Sequence, residues 1–161
     1  MSNASNVGNF FWHCHELTSI DLSNFDPCSA TEMRSFFNRC YMLRSIDMTH
    51  FNPESVTSSD KCGYFFYGCI GLEELYCGDT FRFPIKPSYP FSEKFNYPDM
   101  LAGLNNGGFT IYCDQDICDY WASTGLRWLH NGNGSDIAPL NIVFKHHKTG
   151  QELFPAEWPA N

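Results

Sequence analysis

Residues 14–25, with the sequence CHELTSIDLSNF, hold the pattern around which the rest of the chain is organised. One cysteine and the apolar residues follow the spacing C-x-x-L-x-x-I-x-L-x-x-F. The same spacing returns 26 residues further on, in residues 40–51, CYMLRSIDMTHF. A third, looser copy begins 29 residues later at Cys69 and keeps Leu72, Leu75 and Cys77, with Phe81 one place late. Self-similarity at such a period indicates a chain built from stacked copies of one short unit.

The segments that flank these copies repeat as well. A pair of phenylalanines precedes each cysteine, at residues 10–11, 36–37 and 65–66. In the first two copies the final phenylalanine is followed by Asp or Asn and then by proline, at residues 25–27 and 51–53. The second interval is longer because three extra residues fall in the polar stretch 58–61. A period of roughly 20–29 residues with the pattern L-x-x-L-x-L is typical of leucine-rich repeats.

The unit resembles that of the BspA-like leucine-rich-repeat surface proteins, which reads like M-F-x-G-C-x-x-L-x-x-L-D-L-S-N-F-D-T. It stands here as FWHCHELTSIDLSNFDP (11–27), FNRCYMLRSIDMTHFNP (37–53) and FYGCIGLEELYCGD (66–79). The third copy departs from it after Leu75, and the resemblance covers residues 10–81. It implies an α/β fold, a leucine-rich-repeat solenoid of about four short coils with an irregular C-terminal cap. It also implies a bacterial cell-surface or secreted protein used for adhesion or protein binding.

The composition argues against several kinds of partner. The 161 residues are 43% hydrophobic and 17% charged, as in a globular domain. The net charge of −8 argues against nucleic acid, because there is no basic patch to neutralise phosphates. Residues 1–80 hold ten acidic and four basic residues, so −6 of this charge lies in the repeat half. No apolar run approaches about 18 residues, so we expect no membrane span.

Three parts are expected along the chain. Residues 1–9 are small and polar, which predicts a disordered or vector-derived start, and we expect the chain to be a fragment or mature region of a longer secreted protein. Residues 10–125 are expected to form the solenoid, and residues 126–161 a C-terminal cap packed on its end.

One segment of the solenoid region interrupts the repeat. Residues 81–98 carry four prolines and six aromatic residues, which excludes a helix or a central strand. They predict an extended insertion packed along one side of the solenoid. The alternative is an aromatic binding surface, for instance for sugar rings.

Local spacing predicts the individual elements. Alternation of apolar and polar residues predicts four short strands, at Ser19–Leu22, Ser45–Met48, Glu74–Cys77 and Phe109–Cys113. Apolar residues at helical spacing predict helical turns at 31–38 and 61–67, a short helix at 98–104, and a helix at Gln115–Ser123 with Asp114 as its N-cap. Leu140–His146 is expected to pair with Leu126–Leu129 as a hairpin over the open end of the array.

The eight cysteines are expected to be thiols rather than disulfides. Cys14, Cys40 and Cys69 occupy one repeat position, and Cys77 takes the place of a core leucine or methionine. Inside a solenoid, cysteine acts as a small hydrophobic residue. The pattern does not place Cys28, Cys62, Cys113 and Cys118, and a Cys113–Cys118 disulfide stays open.

Two arrangements could carry chemistry, and each has a plainer interpretation. Residues 13–15, His-Cys-His, look like a metal site, but no second ligand cluster follows, so we expect surface histidines and neither a metal nor a cofactor. Cys118 with His130, His146 or His147 could form a nucleophile and base. Three neighbouring aspartates would raise the pKa of that thiol, so we expect no catalytic residues.

The outward positions of the stacked strands form three columns. They are Ser19, Ser45, Glu74 and Thr110; Asp21, Asp47, Tyr76 and Tyr112; and Ser23, Thr49, Gly78 and Asp114. The candidate binding face drawn from them consists of Asp21, Asp47, Glu74, Tyr76, Tyr112 and Asp114. We expect a monomeric, non-enzymatic module that presents this rigid, acidic surface to a protein or glycan partner. The alternative is that these side chains are solvated and bind nothing.

Two other functions stay open. One is a structural end-cap of a longer repeat array with no ligand of its own, which a truncated first coil and a large cap favour. The other is a cysteine-dependent or carbohydrate-active enzyme, which would need a deep pocket near Cys118 or residues 81–98.

Overall fold

The structure is a computed structural model that describes residues 4–58, 61–82, 109–123, 128–130, 136–139 and 142–155. The elements in these ranges, in chain order, are β1 (Ser45–Met48), β2 (Glu74–Cys77), β3 (Phe109–Cys113), α1 (Gln115–Ser123), β4 (Trp128–His130), β5 (Asp136–Pro139), β6 (Ile142–His146) and β7 (Glu152–Leu153). A five-stranded sheet has the order β1-β2-β3-β6-β7, and β4 pairs with β5 in a separate two-stranded sheet.

The three strands after the first copy of the repeat, and the helix, are confirmed with the predicted bounds. Strands β1, β2 and β3 pair in parallel, and their register aligns Ile46 with Leu75 and Leu75 with Ile111. These three side chains are buried, as alternation of apolar and polar residues requires when one face of a sheet covers the core. Asp114 stands at the N-cap of α1, and its carbonyl accepts the first intrahelical hydrogen bond from the Cys118 N–H at 3.0 Å.

The predicted strand at residues 19–22 is absent from the structure. The segment keeps the expected alternation, because Leu22 is buried while Ser19 and Asp21 are exposed. Its backbone approaches β1 through a single long hydrogen bond, from the Arg44 N–H to the Thr18 carbonyl at 3.4 Å. One such bond does not establish a strand ladder, in which each residue pair contributes regularly spaced bonds.

The segments 31–38 and 61–67, predicted as helical turns, form isolated hydrogen-bonded turns and no α-helix, although the apolar residues point inward as expected. The N–H groups of Met33, Ser35, Phe37 and Arg39 donate to carbonyls in residues 61–67, at 2.7–2.9 Å. Every second residue therefore donates to the next repeat, whereas Asn38 and Tyr67 close turns on the carbonyls of Ser35 and Tyr64 within their own segments, at 3.2 Å. Met33, Phe36 and Phe37, which have the spacing of one helix face, are all fully buried without forming a helix.

A matching ladder joins the start of the chain to the second repeat, and it corrects the expectation of a disordered start for its described part. The N–H groups of Val7, Asn9, Phe11 and His13 donate to carbonyls in residues 32–38, at 2.8–2.9 Å. Val7 is buried. Residues 7–13 therefore take the same backbone path as residues 33–39.

The same backbone conformation recurs at equivalent positions of these ladders. The φ angle is +58° at Asn9, +57° at Ser35 and +58° at Tyr64. Four residues further along each ladder, it is +61° at His13, +64° at Arg39 and +75° at Gly68. Left-handed conformations are unfavourable for residues other than glycine. The packed repeats therefore impose this geometry at five positions that do not carry glycine.

Columns of aromatic rings form the core between the repeats. The rings of Phe11, Phe37 and Phe66 stack with centroids 5.2 and 5.7 Å apart and nearly parallel planes. Phe36 stacks in the same way on Phe65, at 5.3 Å. Offset stacking of this kind stabilises aromatic pairs beyond the area that they bury. The paired phenylalanines that precede each cysteine in the sequence thus carry the contact from one repeat to the next.

Two of the cysteines that begin the copies of the repeat form hydrogen bonds to the preceding repeat. The Cys40 thiol donates to the Phe11 carbonyl at 3.2 Å, and the Cys69 thiol donates to the Phe37 carbonyl at 3.0 Å. All eight cysteines lie in the described part of the chain, and none of them is in a disulfide, Cys113 and Cys118 included. Cysteine suits this position because it is small and apolar and still carries a weak donor.

The predicted hairpin of Leu140–His146 with Leu126–Leu129 is wrong. Strand β6 pairs in parallel with β3, where Phe144 lies opposite Ile111, and antiparallel with β7, where Phe144 lies opposite Leu153. Phe144 is 2% exposed, so β6 completes the core of the main sheet. Strand β4 takes β5 as its partner instead. The insertion within 83–98, the helix at 98–104 and the end of the cap at 156–161 lie outside the described residues.

Candidate functional site

The parallel register brings predicted outward residues into columns on the open face of the sheet. Asp47 lies opposite Tyr76, and Tyr76 lies opposite Tyr112. Pairing of β3 with β6 adds Lys145 beside Tyr112. The neighbouring column holds Glu74 in the same way, opposite Ser45 and Thr110. The column order predicted from the sequence is confirmed for the residues that lie in strands.

Tyr76 and Tyr112 form a stacked pair at the centre of this face. Their ring centroids are 4.4 Å apart and their planes differ by 5°. Both hydroxyls donate to the Glu74 carboxylate, from Tyr76 at 3.2 Å and from Tyr112 at 3.3 Å. The Lys145 ammonium lies 6.0 Å from the Tyr112 ring centroid, within reach of a cation–π contact. We call these four residues, Glu74, Tyr76, Tyr112 and Lys145, the tyrosine platform.

The surroundings of Tyr76 keep its hydroxyl protonated. Burial and the neighbouring Glu74 carboxylate raise the pKa of Tyr76 to about 12, because each disfavours a phenolate. The Tyr76 hydroxyl can therefore donate a hydrogen bond at neutral pH. With both rings held by stacking and by one shared acceptor, little side-chain entropy remains to be lost when a ligand binds.

Asp21 and Asp47, two members of the predicted face, each close the turn that follows them. Asp21 Oδ1 accepts from the Ser23 N–H at 2.8 Å. Asp47 Oδ1 accepts from the Thr49 N–H at 2.9 Å and from the Thr49 hydroxyl at 2.6 Å. Hydrogen bonds from Ser23 lower the pKa of Asp21, because they favour its ionised form. Both carboxylates are exposed, so this turn-closing role explains the repeated aspartate without a ligand.

Asp114, the last member of the predicted face, lies beside two histidines. Its Oδ1 is 3.2 Å from His146 Nε2 and 3.4 Å from His147 Nε2. From the sequence these histidines were considered only as partners of a cysteine, so their position next to Asp114 was missed. Apolar and polar residues alternate in 142–146. This pattern could have placed the histidines if the segment had been recognised as a strand that pairs in parallel with β3.

The two arrangements considered for chemistry gain no support from the structure. His13 Nδ1 and His15 Nε2 are 3.1 Å apart, but the Arg39 guanidinium lies 3.3 Å from His13 Nε2. A guanidinium in that place disfavours a metal cation. Burial and nearby acidic groups raise the pKa of Cys113 to about 12 and that of Cys118 to about 11. Both thiols therefore stay protonated near neutral pH, which opposes a role as nucleophile.

No family model, curated protein or solved structure matches this chain. Among the described residues, no helix has the length and apolar character needed to cross a bilayer.

Proposed function

We propose that this protein is a non-enzymatic binding or adhesion module of the BspA-like leucine-rich-repeat type, exposed on a cell surface or secreted. In this proposal the repeats form a short solenoid, and its open sheet face meets a protein or glycan partner. The observation that carries it is the tyrosine platform, because stacked, preorganised aromatic rings beside a carboxylate and an ammonium are common features of binding surfaces.

The chemistry of the platform favours a ligand with both apolar surface and polar groups. The rings of Tyr76 and Tyr112 are partly exposed and offer apolar contact. Glu74 and Lys145 offer an acceptor and a donor within the same cluster. Sugar rings and exposed peptide segments both present that combination. The repeated inter-repeat ladders support rigidity, since four of the backbone N–H groups in residues 33–39 donate to carbonyls of the neighbouring repeat.

The test compares a platform variant with a matched tyrosine elsewhere. The wild type, Tyr112→Ala and Tyr67→Ala are applied to a glycan array and to a panel of purified extracellular proteins. Tyr67 is the control because it is also partly exposed and in ring contact with another tyrosine, Tyr64, at 5.5 Å. We expect Tyr112→Ala to weaken binding at least about tenfold, as loss of an aromatic hot spot does. Equal binding by both variants would remove the platform from the proposal.

A second candidate function is a structural end-cap that closes a longer array. Strand β7 favours it, because it adds only two residues, Glu152 and Leu153, antiparallel at the edge of an otherwise parallel sheet. Very short edge strands limit pairing with further chains. This function predicts no partner in the binding screens, together with loss of stability when residues 142–155 are deleted.

A further inference from the structure

Three potential metal ligands meet where β3 and β6 end. The two strands are parallel neighbours, and Cys113 lies opposite His146. The residues that follow those strand ends, Asp114 and His147, are therefore brought to the same edge of the sheet. The His147 N–H donates to the Cys113 carbonyl at 3.2 Å, which continues the pairing past the end of β6. Asp114 is also fixed on its other side as the N-cap of α1.

The spacing of the ligand atoms fits a small tetrahedral ion. Zinc binds imidazole nitrogen and carboxylate oxygen at about 2.0–2.2 Å, so neighbouring ligands of a tetrahedral site lie about 3.3–3.6 Å apart. Asp114 Oδ1 lies 3.2 Å from His146 Nε2 and 3.4 Å from His147 Nε2. One ligand atom from each residue lies within 4.8 Å of the other two. Two edges of the tetrahedron are thus formed, and small side-chain rotations suffice for the third.

The two histidines differ in their hydrogen bonds, and this difference affects how each nitrogen could bind a metal ion. His147 Nε2 is inaccessible to solvent and, although it lies 3.4 Å from Asp114 Oδ1, it makes no well-aligned hydrogen bond in the described part of the chain. A buried polar atom without a well-aligned hydrogen bond costs free energy, and a bound ion would remove that cost. His146 Nδ1 instead accepts from the Lys148 N–H at 3.1 Å. A neutral His146 that gives Nε2 to a metal must carry its proton on Nδ1, so binding would have to release the Lys148 amide.

We propose that Asp114, His146 and His147 form a binding site for a divalent transition-metal ion, zinc first among them. Two imidazoles and a carboxylate suit zinc, and the geometry leaves the fourth position for water or a group from outside the chain. The ligand side chains are 20–30% exposed, so the ion can enter from solvent. A metal held there joins β3 to β6 and so fixes the last parallel strand to the repeats.

The experiment uses the full chain without an affinity tag. Zinc chloride is titrated by calorimetry into the wild type, Asp114→Asn, His147→Asn and His50→Asn. We expect one ion per chain for the wild type and for His50→Asn, the control at an exposed histidine outside the site. Asp114→Asn and His147→Asn should each weaken binding at least about tenfold, since loss of an outer-shell partner alone costs that much. Asparagine keeps the N-cap of α1, so Asp114→Asn is expected to fold.

Four outcomes decide the proposal. A Lys148 amide signal that moves on zinc addition, in the nuclear magnetic resonance spectrum of the wild type, supports His146 as a ligand independently of any variant. Retention of full affinity by both variants overturns the site, and so does zinc binding that is lost instead when His13 and His15 are replaced. Absence of binding by the folded wild type at micromolar zinc also overturns it.

Discussion

Gly78 permits the close approach of two repeats, and its replacement should be costly. A Cβ added at Gly78 would lie 1.9 Å from the Thr49 carbonyl oxygen, 2.8 Å from the carbonyl carbon and 3.1 Å from Cα. All three are backbone atoms, so no side-chain rotation relieves the clash. One chain segment would have to move by ~1.5 Å to restore an ordinary van der Waals distance. The equivalent positions in the first two copies, Ser23 and Thr49, carry side chains.

The size of the effect follows from where the movement must occur. Overpacking in a well-packed region costs about 1–3 kcal/mol, and Gly78 directly follows β2, which has a paired strand on each side. We therefore expect Gly78→Ala to lower the free energy of unfolding by about 3 kcal/mol. For a chain of this length, that corresponds to a fall in Tm of about 6–12 °C. Urea denaturation followed by tryptophan fluorescence, together with thermal unfolding, measures both quantities.

Gly150→Ala is the matched control. Nothing lies within 4 Å of a Cβ at Gly150, but its φ of +68° makes alanine locally strained. That variant should cost about 1 kcal/mol, from the left-handed backbone alone. If Gly78→Ala loses no more stability than Gly150→Ala, close backbone approach does not limit residue 78, and the reasoning about this contact fails.

Two further predictions address a strained backbone and a shifted pKa. Arg39→Gly should raise the free energy of unfolding by about 0.5–1 kcal/mol relative to Arg39→Ala, because φ is +64° there and Gly68 holds the equivalent position. Equal stability of these two variants in urea would contradict it. The raised pKa of Tyr76, about 12 against 10.0 for an ordinary tyrosine, means that the folded state holds its proton more tightly. Its stabilising contribution is present below pH 10 and is lost as the pH rises towards 12. The free energy of unfolding of the wild type should therefore fall more steeply over that range than that of Tyr76→Phe. Parallel plots of the free energy of unfolding against pH would argue against the shifted pKa.

The sequence by itself determined where β1, β2 and β3 lie. Ile46, Leu75 and Ile111 alternate with polar neighbours, and a period of two residues is sufficient to indicate a strand with one buried face. Because the same unit recurs, equivalent residues stack in parallel, which is why the order Asp47, Tyr76, Tyr112 could be predicted without a structure. Helix α1 was predictable for a similar reason, since Asp114 marks its start and its apolar face has helical spacing.

Only the tertiary structure determined which carbonyl groups accept hydrogen bonds from the backbone N–H groups of the repeats. The apolar spacing of Met33, Phe36 and Phe37 fits a helical turn and an inter-repeat ladder equally well, because both bury the same side chains. Whether the N–H of Met33 bonds locally or to the Lys61 carbonyl depends on a partner 28 residues away. The pairing of β6 with β3 has the same origin, and so does the meeting of Asp114 with its two histidines. Local periodicity reports which side chains are buried, whereas long-range hydrogen bonds depend on how distant segments pack, so only the folded chain defines them.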